Sequence, residues 1–167
     1  MFHTVEDFVQ NWTDESASTQ KQMDQLTDSS LSQAVAEGHR TLGRIAWHIA
    51  TTIPEMMSQT GLKLPAVDHK APVPKTADEI KKAYMVASKE LLDQIKANWD
   101  DATLQIEDEM YGEKWKRGTT LLILIKHEVH HRGQMTVLMR QAGLKVPGFY
   151  GPAKEEWANY GGQPPEV

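Results

Sequence analysis

The residues best able to do chemistry lie in one run, Lys126-His127-Glu128-Val129-His130-His131-Arg132-Gly133-Gln134, which holds three of the seven histidines within five positions. The flanking segments, Thr119-Thr120-Leu121-Leu122-Ile123-Leu124-Ile125 and Met135-Thr136-Val137-Leu138-Met139, are apolar and free of proline, so the whole stretch reads as a mostly buried helix. Residues four apart stack on one helical face, so His127 and His131 project together, with Thr120, Gln134 and Leu138 on roughly the same face. Two imidazoles so placed can grip one metal ion. His130 falls on the flank of that face, and Glu128 lies about a quarter turn to the other side. Two histidines make a weak site, so a third ligand has to come from elsewhere in the chain.

His48 is the best third ligand. It sits in Gly43-Arg44-Ile45-Ala46-Trp47-His48-Ile49-Ala50, among apolar residues, where a neutral polar ring needs a partner. Three neutral imidazoles plus water make an open site of the catalytic type. The bland alternative for His48 is a hydrogen-bonded core histidine. His3, His39 and His69 fall at ends or in loops and read as surface residues. A sharper competitor is the H-E-x-x-H pattern of His127-Glu128-Val129-His130-His131, in which Glu128 would be the general base of a zinc hydrolase and Glu155 or Glu156 the third ligand. Against it, Gln134 stands where the extended metzincin pattern has glycine, and the chain shows few strand signals for a substrate-binding sheet.

Four helical elements must position these residues. Val5, Phe8, Val9, Trp12, Ser16, Thr19, Met23 and Leu26 keep helical spacing over residues 4–27. Leu31 to Ala36 can add a short turn before Gly38. A second helix starts at Thr41, a plausible N-cap, and runs to Gly61, with Pro54 expected to kink or loosen it. Residues 61–75, with Pro65, Pro72 and Pro74, read as a loop. Thr76-Ala77-Asp78-Glu79 has the spacing of a capping box, and a third helix follows to Asp100-Asp101. Residues 102–118 allow a short extended excursion. The fourth helix runs over 119–142, with Gly143 as its C-terminal cap. The expected fold is all-α: a four-helix bundle, one domain over 1–167, with an irregular C-terminal tail. That tail packs back on the bundle through Phe149, Tyr150 and Trp157. The long 61–75 and 102–118 connections leave room for non-neighbouring helix order.

Composition narrows the chemistry further. The chain has 167 residues, 40% of them hydrophobic and 25% charged, which suits one soluble globular domain. A net charge of −5 argues against nucleic acid or an anionic membrane bound by bulk electrostatics. There is no cysteine, so any metal is held by His, Asp, Glu or backbone oxygen. Residues Met1–Asp7 have no basic or long apolar run, so no signal peptide is expected, and no window is apolar enough to span a membrane. The expected location is the cytoplasm.

Three segments together carry a family resemblance. Thr41-Leu42-Gly43-Arg44-Ile45-Ala46-Trp47-His48-Ile49, His127-Glu128-Val129-His130-His131-Arg132-Gly133-Gln134 and Gly143-Leu144-Lys145-Val146-Pro147-Gly148-Phe149-Tyr150-Gly151-Pro152 resemble, in order and spacing, the DinB-type (DNA-damage-inducible) metalloproteins. Residues 60–118 match only as helix and loop pattern. The resemblance implies a homodimeric four-helix bundle with one divalent transition metal ion, zinc, nickel or similar, held by His48, His127 and His131. It implies a small-molecule substrate and a thiol-dependent transferase or isomerase chemistry using a low-molecular-weight thiol such as bacillithiol, mycothiol or glutathione. It names no catalytic side chain. Helical phase adds Gln134 and Thr120 as groups that could orient substrate or bound water, and Glu55 and Arg44 as supports of the ligands. Trp47, about 100° from His48 on its helix, is a candidate interface residue. The alternative class is a non-catalytic metal-binding stress-response or interaction protein.

Overall fold

The computed structural model describes residues 1–65 and 71–166. The four helices begin where capping chemistry allows. Helix α1 (Val5–Met23) starts at Thr4, whose hydroxyl accepts from the Asp7 amide at 3.1 Å. Helix α2 (Leu42–Ser58) starts at Thr41, whose hydroxyl accepts from the Arg44 amide at 3.2 Å. Helix α3 (Ala77–Asn98) opens with the capping box of Thr76 and Glu79. Helix α4 (Arg117–Gln141) has no side-chain cap, and Gly143 closes it in the left-handed region at φ 74°. Chain pairing gives its first amide a partner: Arg117 N–H donates to the Ile106 carbonyl at 2.9 Å. The N-terminal segment also lies across this end, with Phe2 N–H donating to the Gly118 carbonyl at 3.0 Å, so closely that a Cβ on Gly118 would lie 2.3 Å from the Phe2 carbonyl oxygen.

Some ends differ from the sequence expectation. Helix α1 stops at Met23, not residue 27, because Thr27 and Ser30 bond each other's backbone and open a separate 3-10 turn over Asp28–Ser32. Helix α2 ends at Ser58, short of Gly61, and Pro54 sits inside it without ending it. The uncertain 102–118 segment is a two-stranded antiparallel hairpin, β1 (Glu107–Met110) and β2 (Glu113–Lys116), in register Asp108 opposite Trp115. Its turn residues Tyr111 and Gly112 both have positive φ, 55° and 87°, the geometry that matches hairpin twist. Of the 61–75 loop, residues 66–70 lie outside the described residues, and the reading of His69 with them.

Helix α2 packs on α3 and α4, and α1 packs on the same two. The order round the bundle is therefore α1, α3, α2, α4, with α1 and α2 on one diagonal. The 102–118 connection does cross the bundle, as its length allows, but the 61–75 loop joins neighbours, and the other crossing is made by residues 24–41. The core runs through Phe8, Trp12, Leu42, Ile49, Ile53, Ile80, Tyr84, Leu91, Leu121, Leu124 and Met135. No described helix is long and apolar enough to cross a membrane.

A buried cation ties the C-terminal tail down. Arg132 is 2% exposed. Its guanidinium donates to the Glu15 carbonyl (3.0 Å), the Glu15 carboxylate (2.6 Å), the Thr19 hydroxyl (3.2 Å) and the Tyr150 hydroxyl (2.7 Å), and lies over the Phe149 ring at 4.8 Å. The tail is further held by an Arg140–Glu155 ion pair, and it forms a 3-10 turn over Lys154–Tyr160 whose Glu156 carboxylate accepts from the Gly148 and Ala153 amides. Glu155 and Glu156 are thus committed to the tail and do not approach the histidines. Replacing Arg132 by Ala leaves the Glu15 carboxylate unpaired in a mostly buried position, so Arg132→Ala should lower unfolding free energy by about 3 kcal/mol in urea titration. Limited proteolysis should then cut the chain beyond Leu144. An unchanged urea midpoint and an uncut tail would show that Arg132 does not anchor it.

Candidate metal centre

Helix α4 supplies His127 and His131 one turn apart, and α2, its neighbour in the bundle, supplies His48. The His127 Nε2 lies 3.1 Å from His48 Nε2 and 3.2 Å from His131 Nε2, and the three ligand nitrogens lie within 4.8 Å of one another. Two nitrogens bound tetrahedrally at about 2.05 Å from zinc stand about 3.3 Å apart, so the spacing suits one ion. The rings meet edge to face, with interplanar angles of 71°, 83° and 75°, so their nitrogens converge without stacking.

Hydrogen bonding orients the ligands. Gln134 Oε1 is 2.7 Å from His131 Nδ1, and Gln134 Nε2 is 3.0 Å from His130 Nε2. The arrangement that satisfies both has His131 Nδ1–H donating to the amide oxygen, which leaves the His131 Nε2 lone pair free to face the other two rings. On α2, Thr52 Oγ1 is 3.4 Å from His48 Nδ1. Half-burial pushes the His48 and His127 rings down to about 4; repulsion from His131 and Arg40 acts on both, with His127 and Arg44 adding to it at His48 and His130 at His127. Burial also lowers His131, against the opposing bond from Gln134. All three are therefore neutral near pH 7, the form a metal needs.

Helical phase placed some groups correctly and others not. Gln134 is at the site. Thr120 is not: it is fully buried, two turns below His127, and its hydroxyl reaches the Lys116 carbonyl at 3.4 Å. Glu55 and Arg44 line a cavity beside His48 and His127, with Glu55 accepting from the Tyr111 hydroxyl at 2.8 Å, and neither is hydrogen-bonded to a ligand ring. Glu128 points away. It is 1% exposed, and its Oε1 accepts from Thr19 (2.7 Å) and Tyr84 (2.8 Å) in the bundle interior, where burial raises its carboxyl to about 7. A carboxylate turned into the core cannot serve as the base of an H-E-x-x-H hydrolase, because that role requires it to face water at the metal. Trp47 is 7% exposed and Trp12 and Trp99 are buried, so these tryptophans fill the core and lend no support to an interface.

Thr52, four residues after His48, falls on the His48 face by helical phase, and the structure places its hydroxyl 3.4 Å from His48 Nδ1. One residue escaped the sequence reading. Arg40 could not have been found by helical phase. It precedes α2 in a loop closed by the Ala34–Thr41 bridge and the Leu42 amide on the Gln33 carbonyl, and this loop brings its charge near all three rings.

Comparison with known proteins places the chain among relatives. The profile described as DinB family matches residues 1–166. The chain is 46% identical over 167 residues to the uncharacterized protein YrdA of Bacillus subtilis strain 168, covering all of both chains. The crystal structure of a DinB-like protein from Bacillus cereus ATCC 10987 superposes with a TM-score of 0.87 at 48% identity, over 90% of this chain and 100% of that one. The DinB-like protein YjoA of Bacillus subtilis, at 16% identity and a TM-score of 0.67 over 88% of this chain and 99% of that one, shares the fold.

The lowered imidazoles set the pH behaviour. An unperturbed histidine titrates near 6.5, which would place loss of a bound ion there. In the folded chain protons compete only nearer 4, so occupancy measured by equilibrium dialysis should persist through pH 6 and fall toward pH 4. In the metal-free protein the sign follows from linkage. Below 6.5 the unfolded chain takes up protons that the folded one refuses, so stability falls as pH drops from 6.5 to about 4 and this contribution levels off below. Substituting Gln134 by Met removes the bond that orients His131 and should weaken metal binding roughly 10- to 100-fold with little change in fold. Unchanged affinity would mean that packing alone sets the His131 ring.

Proposed function

The chain belongs to the DinB family, and from that premise and the histidine cluster we propose that it is a metal-dependent enzyme of the thiol-dependent S-transferase type. One divalent transition ion, zinc or nickel, is held by His48, His127 and His131. The observation that carries the reading is the convergence of three neutral Nε2 atoms from two helices, with cavities on both sides of them. Nitrogen donors with no carboxylate favour a borderline metal over magnesium or calcium. Such an ion supplies Lewis acidity and lowers the pKa of a thiol or water beside it.

The rest of the work falls to the chain's own groups. Gln134 fixes the His131 ring, and Thr52 stands beside the His48 ring. Arg40 and Arg44 give the cavities a positive character suited to an anionic reactant. The cavity lined by Val35, Ile45, Val137 and Leu138 suits a small organic molecule, and its volume of about 580 Å³ is in the range of ligand sites. A non-catalytic metal store would be expected to close the ion off with a fourth side chain, and among the described residues no fourth ligand joins the cluster. A cytoplasmic homodimer acting on a small molecule remains part of the proposal and rests on family membership.

Metal analysis of protein purified without an affinity tag should find about one ion per chain. His48→Ala or His131→Ala should lose both the ion and thiol-transfer activity in a screen with glutathione, bacillithiol and mycothiol as donors. Glu128→Gln should keep both, because the amide oxygen can still accept from Thr19 and Tyr84. Peptide hydrolysis in the wild type that vanishes in Glu128→Gln with metal retained would overturn the assignment, as would full metal content in His48→Ala.

A further inference from the structure

The histidine cluster separates two cavities, and Arg40 lines both. One is lined by Arg44, Thr52, Glu55, Tyr111, Met56 and Ile123 on the His48 and His127 side. The other reaches His131 and Gln134 and is walled by Val35, Ile45, Val137 and Leu138. Val35 and Val137 are 56% and 52% exposed, so the rim of the second cavity leaves apolar surface open to solvent. Among the described residues the Arg40 and Arg44 guanidinium groups make no ion pair, although other arginines of the chain are paired with Asp108, Glu15 and Glu155. A cation near three neutral rings, with no carboxylate of its own and an apolar cavity at its side, is complementary to a molecule with an anionic head and an apolar body.

From this juxtaposition we infer that the substrate is an amphiphilic monocarboxylate. Its carboxylate pairs with Arg40 beside the histidine cluster, and its hydrocarbon part lies against Val35, Ile45, Val137 and Leu138. A planar guanidinium matches a carboxylate in two parallel hydrogen bonds, which fixes the head while the cavity selects the body. A single charge fits better than two, because the Glu55 carboxylate stands in the neighbouring cavity that Arg40 also lines. The inference rests on the metal reading only for the head group's position beside the ion. Arg40 and the apolar cavity exist without it.

Calorimetric titration of zinc-loaded protein with butanoate, hexanoate and octanoate, and with the matching primary amides, tests the assignment. Carboxylate affinity should rise roughly two- to fourfold per methylene, the worth of partly burying each one. The amides should bind about tenfold more weakly, since they forgo the charged hydrogen bonds. Arg40→Gln, at an exposed loop position, should bring the carboxylates to the level of the amides with zinc content unchanged. A Val35→Ser, Val137→Ser double variant should flatten the dependence on chain length. Absence of carboxylate binding, amides that match the acids, indifference to Arg40→Gln, no gain with length, or octyl phosphate binding more tightly than octanoate would each overturn the inference. Wild-type protein that takes up no zinc would instead sink the metal reading. The titration repeated on chelator-treated protein should then still show dependence on Arg40 and on chain length.

Discussion

Everything at the site depends on the register between α2 and α4. His127 and His131 are placed by helical geometry alone, but His48 meets them across a helix interface, with Nε2 atoms 3.1 Å apart. A slip of one residue along either helix moves a side chain by about 1.5 Å and swings it by about 100°, which is enough to dissolve the cluster. The register is held by close-packed side chains that admit no such slip: Leu42, Ile49 and Ile53 on α2, and Leu121, Leu124 and Met135 on α4, all essentially inaccessible. Core packing and the geometry of the histidine cluster are thus one constraint, and a core substitution far from the rings can act on them through the helix axis.

Helix α4 carries polar chemistry on more than one side, and this separates functions that look adjacent in sequence. His127 and His131 face α2. Glu128 and Arg132, the next residues in each case, turn about 100° to face α1 and α3. There they meet Thr19, Tyr84 and Glu15, and Arg132 reaches on to the tail through Tyr150. The run His-Glu-x-x-His-Arg therefore encodes two interleaved structures, a ligand pair and a structural polar network. The H-E-x-x-H match is real as a string, but the glutamate belongs to the second structure.

How much of this was legible follows from what each signal depends on. The helices were legible because Thr41 and Thr76 cap locally and apolar spacing is a local property. The convergence of the three histidines was legible because the i, i+4 pair is local and His48 stood out as a polar ring on an apolar face. The role of Glu128 was only half legible, since helical phase gives a direction but not what lies there. Thr120 misled for a related reason: it shares the face of His127 but lies where that face is covered by the core. An extended excursion over 102–118 was legible, but the register of its hairpin and the position of Arg40 were not, because both depend on short-range backbone pairings, Met110 with Glu113 and Ala34 with Thr41, that helical phase does not report. Trp47 illustrates the limit of composition, because a surplus of tryptophan fits a core as well as an interface.

The charge arrangement around the rings has one further consequence. Three neutral imidazoles contribute no negative charge to offset a divalent ion, and Arg40 adds a positive one nearby. Arg40 therefore opposes protonation of the histidines and opposes the ion itself, by the same Coulomb interaction. An anion on Arg40 reverses that sign. Linkage then requires reciprocity: whatever factor the anion contributes to holding the ion, the ion contributes to holding the anion. A site built with carboxylate ligands would be neutral once loaded and indifferent to such an anion. Three neutral ligands would leave the charge of such an ion uncompensated, and among the described residues the Arg40 guanidinium has no ion pair, so an ion and an anion at this site would favour each other's binding.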